Sequence, residues 1–438
     1  MATLEALVAQ VQALSGADDL LSLHSVLKGP AQDAVLRQSA AGLLTAVANL
    51  DPAVHSLGCL YLLEAKARTI NAQVGDAEFL QAACRFLPAC SAEQVRLAPP
   101  KFTALCRAVK AHCIALGCPK QGVLPLRAAV AKLCPTTDLL SPIHADLFQL
   151  CLLAKCYSGA GAALDADVYS VDPARTACTA TDVLLYCYNG ALLEIGRRRH
   201  PHALQLLLAA LTAPTLLLSA ITVACLKKFM LLSLVGSGAV PPLPKHTAAL
   251  VTRAIKTDCG PYSELARLCG LGKSAAELTA FAQGKQQEFE QDGNWGLVRL
   301  AIEGAARRQI QKLTQTYLTL SLPDIAAKAG LGGSAEAELA VLRMIDAGEV
   351  SARVSERDGM VRFLEEAESF HTAGMTEALD ALIAQSVELA GKLQAFDMAV
   401  SSDKAYITKT ELKNQRSKEG GGGLPPSSAA AAAAEQES

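Results

Sequence analysis

The chain has 438 residues, 51% of them hydrophobic and only 4% aromatic, with 40 basic and 42 acidic side chains and a formal net charge of -2. Surface grows more slowly than volume at this length, so several folded parts and a large core are expected rather than one globule. The near-neutral balance offers no general attraction to phosphate backbones or anionic lipid, and apolar content drawn from Leu, Ala and Val predicts an all-α chain.

Fourteen cysteines are scattered along the chain, all at or before Cys269, and the stretch from Met1 to Leu14 carries Glu5 and no basic residue. With neither the charged start of a secretory signal nor the arginines of a transit peptide, the cysteines read as reduced thiols in a cytoplasmic or nuclear protein. The most apolar region, Leu204 to Leu234, is divided by Pro214 and interrupted by Lys227 and Lys228. Neither piece approaches the ~20 residues that a bilayer span requires, so buried core helices are expected there.

From Thr3 to about Gln291 apolar residues recur at helical spacing, punctuated by clusters such as Lys28-Gly29-Pro30, Asp51-Pro52 and Ala98-Pro99-Pro100. The pattern predicts helical hairpins stacked into a solenoid, with residues 1–200 as its N-terminal part. One hairpin is especially readable: Asp182 to Gly196, capped by Asp182, then Pro201 to Ala213, ended by Pro214. Gly190, Ala203 and Pro214 fall near the small-residue and proline positions of a tetratricopeptide repeat, although the turn Arg197 to His202 is longer than that consensus.

At Asn294 the character changes. Trp295, Leu297, Val298, Ile302, Ala306, Ile310 and Leu313 keep one face of a long helix apolar through to Thr316. A winged helix follows. Leu318 to Ser321 reads as a first strand, Pro323 opens a helix, and Ser334 caps a second one, Ala335 to Ala347, stopped by Gly348. Val350, Ala352 and Val354 then share a strand face, matched by Val361 and Phe363 across a turn from Glu356 to Gly359. A further helix over residues 374–400 aligns Met375, Leu379, Leu382, Leu389, Leu393, Phe396 and Val400, with Ser386 breaking the seam. A polar linker is expected from Ser401, and a disordered Gly, Pro and Ala tail over residues 417–438.

Signals for chemistry are absent. Cys84 with Cys90, Cys113 with Cys118, and Cys151 with Cys156 lack the C-x-x-C pairs of common zinc sites, and no Walker loop, nucleophile elbow, dinucleotide fingerprint or H-E-x-x-H occurs. His144, two residues before Asp146, reads as a capping or buried residue at a helix start. No catalytic, cofactor-binding or metal-ligating residue is therefore expected, and no enzyme. Duplex binding is disfavoured because Ala335 to Ala347 sets Glu336, Glu338 and Asp346 against Arg343 alone, and residues 307–365 hold eight basic and eight acidic side chains.

Helical repeats ending in a winged helix resemble the PCI proteins of the proteasome lid, the signalosome and a translation initiation factor. The strings SPIHADLFQLCLLAKCY (residues 141–157), IQKLTQTYLTLS (310–321), DGMV (358–361), HSLG (55–58), LPK (243–245) and NWGLVR (294–299) narrow this. In that order they resemble the subunit 3 family of the constitutive photomorphogenesis 9 signalosome, over about Met1 to Val400. The resemblance implies a mainly α fold: a solenoid to residue 200, then a PCI domain over 201–365, helical to 304 and winged from 305. It also implies a noncatalytic scaffold, in a complex that removes Nedd8 from cullins of cullin-RING ligases with a zinc metalloprotease in a different subunit. Expected partners are other PCI and MPN subunits, joined through winged-helix edges and bundled C-terminal helices. Candidate edge positions lie in residues 318–321, 350–355 and 360–363, and the candidate interface residues there are Leu320, Ser351, Arg353, Met360 and Arg362, where an open edge can accept a partner strand. On the last helix they are Leu379, Leu382, Leu389, Leu393 and Phe396. The alternatives are a PCI subunit of the proteasome lid and, from another class, a winged-helix nucleic-acid binder.

Overall fold

The computed structural model describes residues 4–15, 19–70, 74–355, 357–364 and 372–419. The chain divides into two units, residues 1–364 and 365–438. In the first, nineteen helices, α1 to α19, lie between Leu4 and Gln291 among the described residues. Proline opens α3 (Pro30–Gln38), α8 (Pro99–Ala115), α9 (Pro119–Leu133) and α10 (Pro142–Leu153), where its missing N–H has no intrahelical partner to lose.

The helix ends are equally legible. At the close of α8, α10 and α13 (Ala180–Gly196), Gly117, Lys155 and Arg198 adopt left-handed φ of 67°, 53° and 62°. Each turn closes with a six-residue bond: Cys118 N–H to Cys113 O, Cys156 N–H to Cys151 O and Arg199 N–H to Glu194 O, all at 2.9 Å. That bond satisfies a carbonyl which a helix end otherwise leaves unpaired. The five-residue spacing of both cysteine pairs is thus the spacing of a helix stop.

The capping of α13 differs from expectation. Its cap is Thr179, whose Oγ1 donates to Asp182 Oδ2 at 2.7 Å, while the same carboxylate accepts the Thr179 N–H at 3.0 Å. Asp182 stands at the third helical position because its longer reach lets it close back on the backbone preceding the helix. The turn to α14 (His200–Thr212) is also tighter than predicted, since the helix starts before Pro201. Gly190 permits the close approach: a Cβ there would lie 3.2 Å from Leu206 Cδ1 and 3.4 Å from Phe148 Cε2.

Buried carboxylates tie successive repeats together. Lys101 of α8 meets Glu64 of α5 (Ser56–Thr69) at 2.9 Å, Lys110 meets Asp146 of α10 at 2.6 Å, and Arg107 meets Asp182 at 2.6 Å. Each helps set one helix against the next, because a carboxylate stripped of water without its cation is strongly unfavourable. Among the described residues no helix is long and apolar enough to cross a membrane.

Two cores share one helix. The first runs continuously from Leu7 to Ala301, and the second gathers Ile310, Leu320, Ile325, Val341, Met344, Val361 and Phe363. The long α20 (Trp295–Thr316) contributes Val298 and Ala301 to the first and Ile310 to the second. At about 33 Å for 22 residues it is a strut between them. Beyond it come β1 (Thr319–Ser321), α21 (Leu322–Ala329), α22 (Ser334–Asp346), β2 (Ala352–Ser355) and β3 (Met360–Phe363). The sheet is antiparallel in the order β1-β3-β2. Ser334 is the first residue of α22 and not its cap, because Gly333 occupies that place. Gly348 does stop the helix, with φ of 68° and a Glu349 N–H to Met344 O bond. Glu356 of the expected turn lies outside the described residues.

The second unit contains α23 (Ala373–Ser401) and α24 (Lys404–Glu419). The latter replaces the polar linker predicted from Ser401: Lys404, Lys409, Glu411 and Lys413 are helix formers despite their polarity. The predicted tail, residues 417–438, overlaps the last turn of α24 and otherwise lies outside the described residues.

Two stability experiments follow from these contacts. His144 is buried at the third position of α10, its Nδ1 accepting the Ser141 N–H at 3.2 Å, and burial holds its pKa down at about 4. An unfolded histidine titrates near 6.5, so below that pH the unfolded chain binds a proton that the folded chain refuses. Stability is full above about pH 6.5 and falls by about 3 kcal/mol towards pH 4. His144→Gln, which keeps a side chain able to close the capping box, should flatten that slope in urea titrations taken at each pH. Asn294→Ala, which deprives the buried Lys228 ammonium of its 2.6 Å acceptor, should cost about 2–3 kcal/mol. In the same denaturation assay the double variant K228M/N294L should come much nearer to wild type, since neither partner is then stranded.

Candidate assembly surfaces

The sheet register decides which backbone groups are free. Leu318 and Leu322 already bond to β3, through Phe363 N–H to Leu318 O and Leu322 N–H to Gly359 O, both at 2.9 Å. Antiparallel ladders bond alternate residues to one neighbour, so Leu320 also faces β3 and only Thr319 and Ser321 turn their backbone groups outward. Ser321 is committed as the cap of α21, accepting the Asp324 N–H at 3.2 Å. The β1 edge is therefore short, and one of its two outward residues leads directly into a helix.

The β2 edge differs. Ser351 O accepts the Leu364 N–H at 2.8 Å, and Arg353 pairs with Arg362 in the same phase of the ladder. By alternation Ala352 and Val354 present their N–H and C=O groups on the open side. Among the described residues these two residues of backbone have no partner, and they form a short strand-accepting edge.

Each expected sheet residue now has a place. Leu320 lies on an outer strand, but its side chain is buried in the second core, opposite Val361. Ser351 precedes β2, half-buried, with its carbonyl used within the sheet. Arg353 is on an outer strand and exposed. Met360 and Arg362 correct the expectation that residues 360–363 form an edge: β3 is the central strand, with a neighbour on each side. Their side chains instead project from the outer face, in the rows Thr319, Arg362, Arg353 and Ser321, Met360, Ser355. Arg353 and Arg362 stand directly opposite one another, a like-charge pair that disfavours the isolated sheet.

Sequence reasoning put Ala352 and Val354 within a candidate edge span but not among the interface residues, because their side chains shared a strand face with Val350 and their value lies in backbone direction. It missed Tyr317, exposed just before the candidate edge residue Leu318, with Lys328 Nζ over its ring at 3.8 Å. The sharp turn from α20 into a strand places both residues outward.

On α23, no residue is buried. Leu379, Leu382, Leu389, Leu393 and Phe396 are all exposed, as are Ile383 and Val387, which widen the apolar row beyond the predicted seam. Ser386 turns its hydroxyl back to Leu382 O at 2.8 Å and so adds no polar demand to that row.

Groups able to do covalent chemistry are spent on structure. Burial pushes the thiols of Cys59, Cys113, Cys187 and Cys225 up to about 12 and those of Cys84, Cys90 and Cys151 to about 11, far from the thiolate a nucleophile needs. His144 serves the capping box of α10. Among the described residues no group of three or more His, Cys, Asp or Glu side chains is placed to hold a metal ion.

Known proteins match this arrangement closely. Residues 18–251 match the family model for the N-terminal helical repeats of COP9 signalosome complex subunit 3, and residues 281–365 match the PCI domain. COP9 signalosome complex subunit 3 of Arabidopsis thaliana is 39% identical over 416 residues, covering 94% of this chain and 95% of that protein. The protein of the same name from Dictyostelium discoideum is 36% identical over 363 residues, covering 82% and 86%. Helical repeats followed by a PCI domain are the parts of a noncatalytic subunit of a multisubunit complex. The chain belongs to the COP9 signalosome complex subunit 3 family.

Proposed function

We propose that the chain is a scaffold subunit of the signalosome, the assembly that removes Nedd8 from cullins of cullin-RING ubiquitin ligases. Its partners are other PCI and MPN subunits, and it meets the ligases indirectly, in the cytoplasm and nucleus. Helices over 1–200 form the outer solenoid. Residues 201–365 act as the PCI domain, helical to 304 and winged beyond, and the helix over 374–400 joins a bundle.

The observation that carries this reading is the open β2 edge. Among the described residues the backbone of Ala352 and Val354 is without a partner on its outer side, and a neighbour's strand would satisfy it at no cost to the core beneath. The exposed Arg353 and Arg362 beside that edge supply a cationic rim for an acidic neighbour. Among the sheet candidates, Leu320 and Ser351 support the strands from within, whereas Arg353, Met360 and Arg362 offer side chains. Leu379, Leu382, Leu389, Leu393 and Phe396 supply the second contact through burial alone.

Ala352→Pro removes an N–H that β3 does not use, so the isolated chain should melt within a few degrees of wild type while its incorporation into the complex falls sharply. Arg353→Pro, which breaks the internal ladder, should lower the melting temperature itself. Full incorporation of the Ala352→Pro chain, read by native mass spectrometry of co-expressed subunits, would refute a role for this edge.

Changing Leu389 and Leu393 together to Asp should leave far-UV circular dichroism nearly unchanged. Two leucines at about 1.5–3 kcal/mol each predict at least a hundredfold weaker assembly. Size-exclusion chromatography of the co-expressed complex would read the loss as free chain.

A further inference from the structure

The loop between α14 and α15 (Ala220–Gly236) carries three successive leucines into water, with Leu216 95%, Leu217 84% and Leu218 36% exposed. It is a fixed loop. Thr215 Oγ1 donates to Leu217 O at 2.6 Å, and Ser219 caps α15 by accepting the Ile221 N–H at 3.3 Å. No Asp, Glu, Lys or Arg occurs from Ala203 through Leu226. Single exposed leucines are ordinary, but three in a row on a braced, uncharged loop mark a contact surface.

A groove of about 340 Å³ begins beside the loop. Ala220, Val223 and Ala224 line one face of α15, with Tyr188 of α13 opposite and Lys227, Lys228, Asp292 and Asn294 at the far end. From Ala220 to Lys228 the groove extends about 12 Å, two turns of a docked helix. The charges at that end are unequally satisfied. Asp292 is already committed, with its oxygens 2.9 and 2.8 Å from Lys227 Nζ and Oδ2 accepting the Tyr262 hydroxyl at 2.7 Å. Lys228 is only 5% exposed, and among the described residues its one hydrogen bond goes to the neutral Asn294 Oδ1 at 2.6 Å. An ammonium has three donors, and among the described residues Lys228 has no carboxylate in direct contact: the Tyr188 ring lies 5.8 Å from its Nζ and Asp292 acts on it only at longer range, so a donor is left for an incoming anion.

We infer that the Leu216 to Leu218 loop and the adjoining groove of α15 dock a helix of another signalosome subunit, with an apolar face under the leucines and a carboxylate over Lys228. The inference rests on the reading of the chain as a signalosome subunit. A second copy of this chain fits poorly, because in a two-fold contact the same patch supplies both sides and its one carboxylate, Asp292, is already bound to Lys227 and Tyr262. Lipid fits no better, since the loop lacks the exposed basic side chains that hold anionic headgroups.

The test uses the full-length chain with a photoreactive benzoylphenylalanine in place of Leu217, assembled with the other signalosome subunits and irradiated in the purified complex. The expected adduct joins position 217 to a helix of one other subunit, with a Glu or Asp within two turns of the adduct. Leu217→Asp and Ala224→Trp should each weaken retention of that subunit about tenfold or more, with the melting temperature of the free chain unchanged by Leu217→Asp. An adduct to a second copy or to lipid, or no adduct in a complex of full composition, overturns the proposal. A complex that assembles normally around Leu217→Asp does so too while leaving the subunit reading intact. A wild-type chain that purifies without other subunits overturns both.

Discussion

The buried ammonium of Lys228 and the side chain of Asn294 hold the molecule's two cores in one frame. Asn294 accepts from Lys228 and donates to the Tyr262 hydroxyl at 2.9 Å, and Tyr262 in turn donates to Asp292, the partner of Lys227. The chain of bonds ties α15 and α17 (Gly260–Gly270) to the N-terminal end of α20. Because α20 is one rigid helix serving both cores, fixing its start also fixes where the winged helix stands. Further along, a Cβ on Gly304 would lie 3.0 Å from Val235 O, and Arg308 donates to that same carbonyl at 2.9 Å. Close backbone approach at one place and buried polar bonds at another thus define a single seating of the strut.

A similar economy runs through the repeats. Hydrophobic burial drives the helices together without preferring one rotation, since Leu and Ala surfaces are interchangeable. Asp146 and Asp182 supply the preference, because each buried carboxylate takes its cation from α8, and Glu64 adds Lys101 of α8 to Arg68 of its own helix. Their contribution is to register more than to net stability, given the desolvation that both partners undergo.

The winged helix separates support from contact by the two-residue period of its strands. Leu320, Val361 and Phe363 point inward and complete the second core, while Arg353, Met360 and Arg362 point outward. The central position of β3 shields its backbone, so the residues open to a neighbour's strand are Ala352 and Val354 of β2. An apolar residue on an outer strand can therefore serve the core with its side chain and the assembly with its backbone.

Helix type, the proline-led starts, the stop at Gly348 and the winged unit were legible in the sequence, because they depend on local chemistry: proline in first turns, glycine after a last turn, alternation through residues 352–363. The row on α23 was legible for the same reason, since helical spacing alone places Leu379, Leu382, Leu389, Leu393 and Phe396 near one another. Family membership was readable too, from short strings retained in order. What only the tertiary structure decided were relations between distant residues. Asp182 was read as a cap and proved to reach back to Thr179 and across to Arg107; residues 360–363 were read as an edge and proved central; Lys228 and Asn294, 66 positions apart, gave no sign of each other. Local propensity acts over a turn or a strand, whereas strand order and buried ion pairing are settled by which surfaces exclude water together.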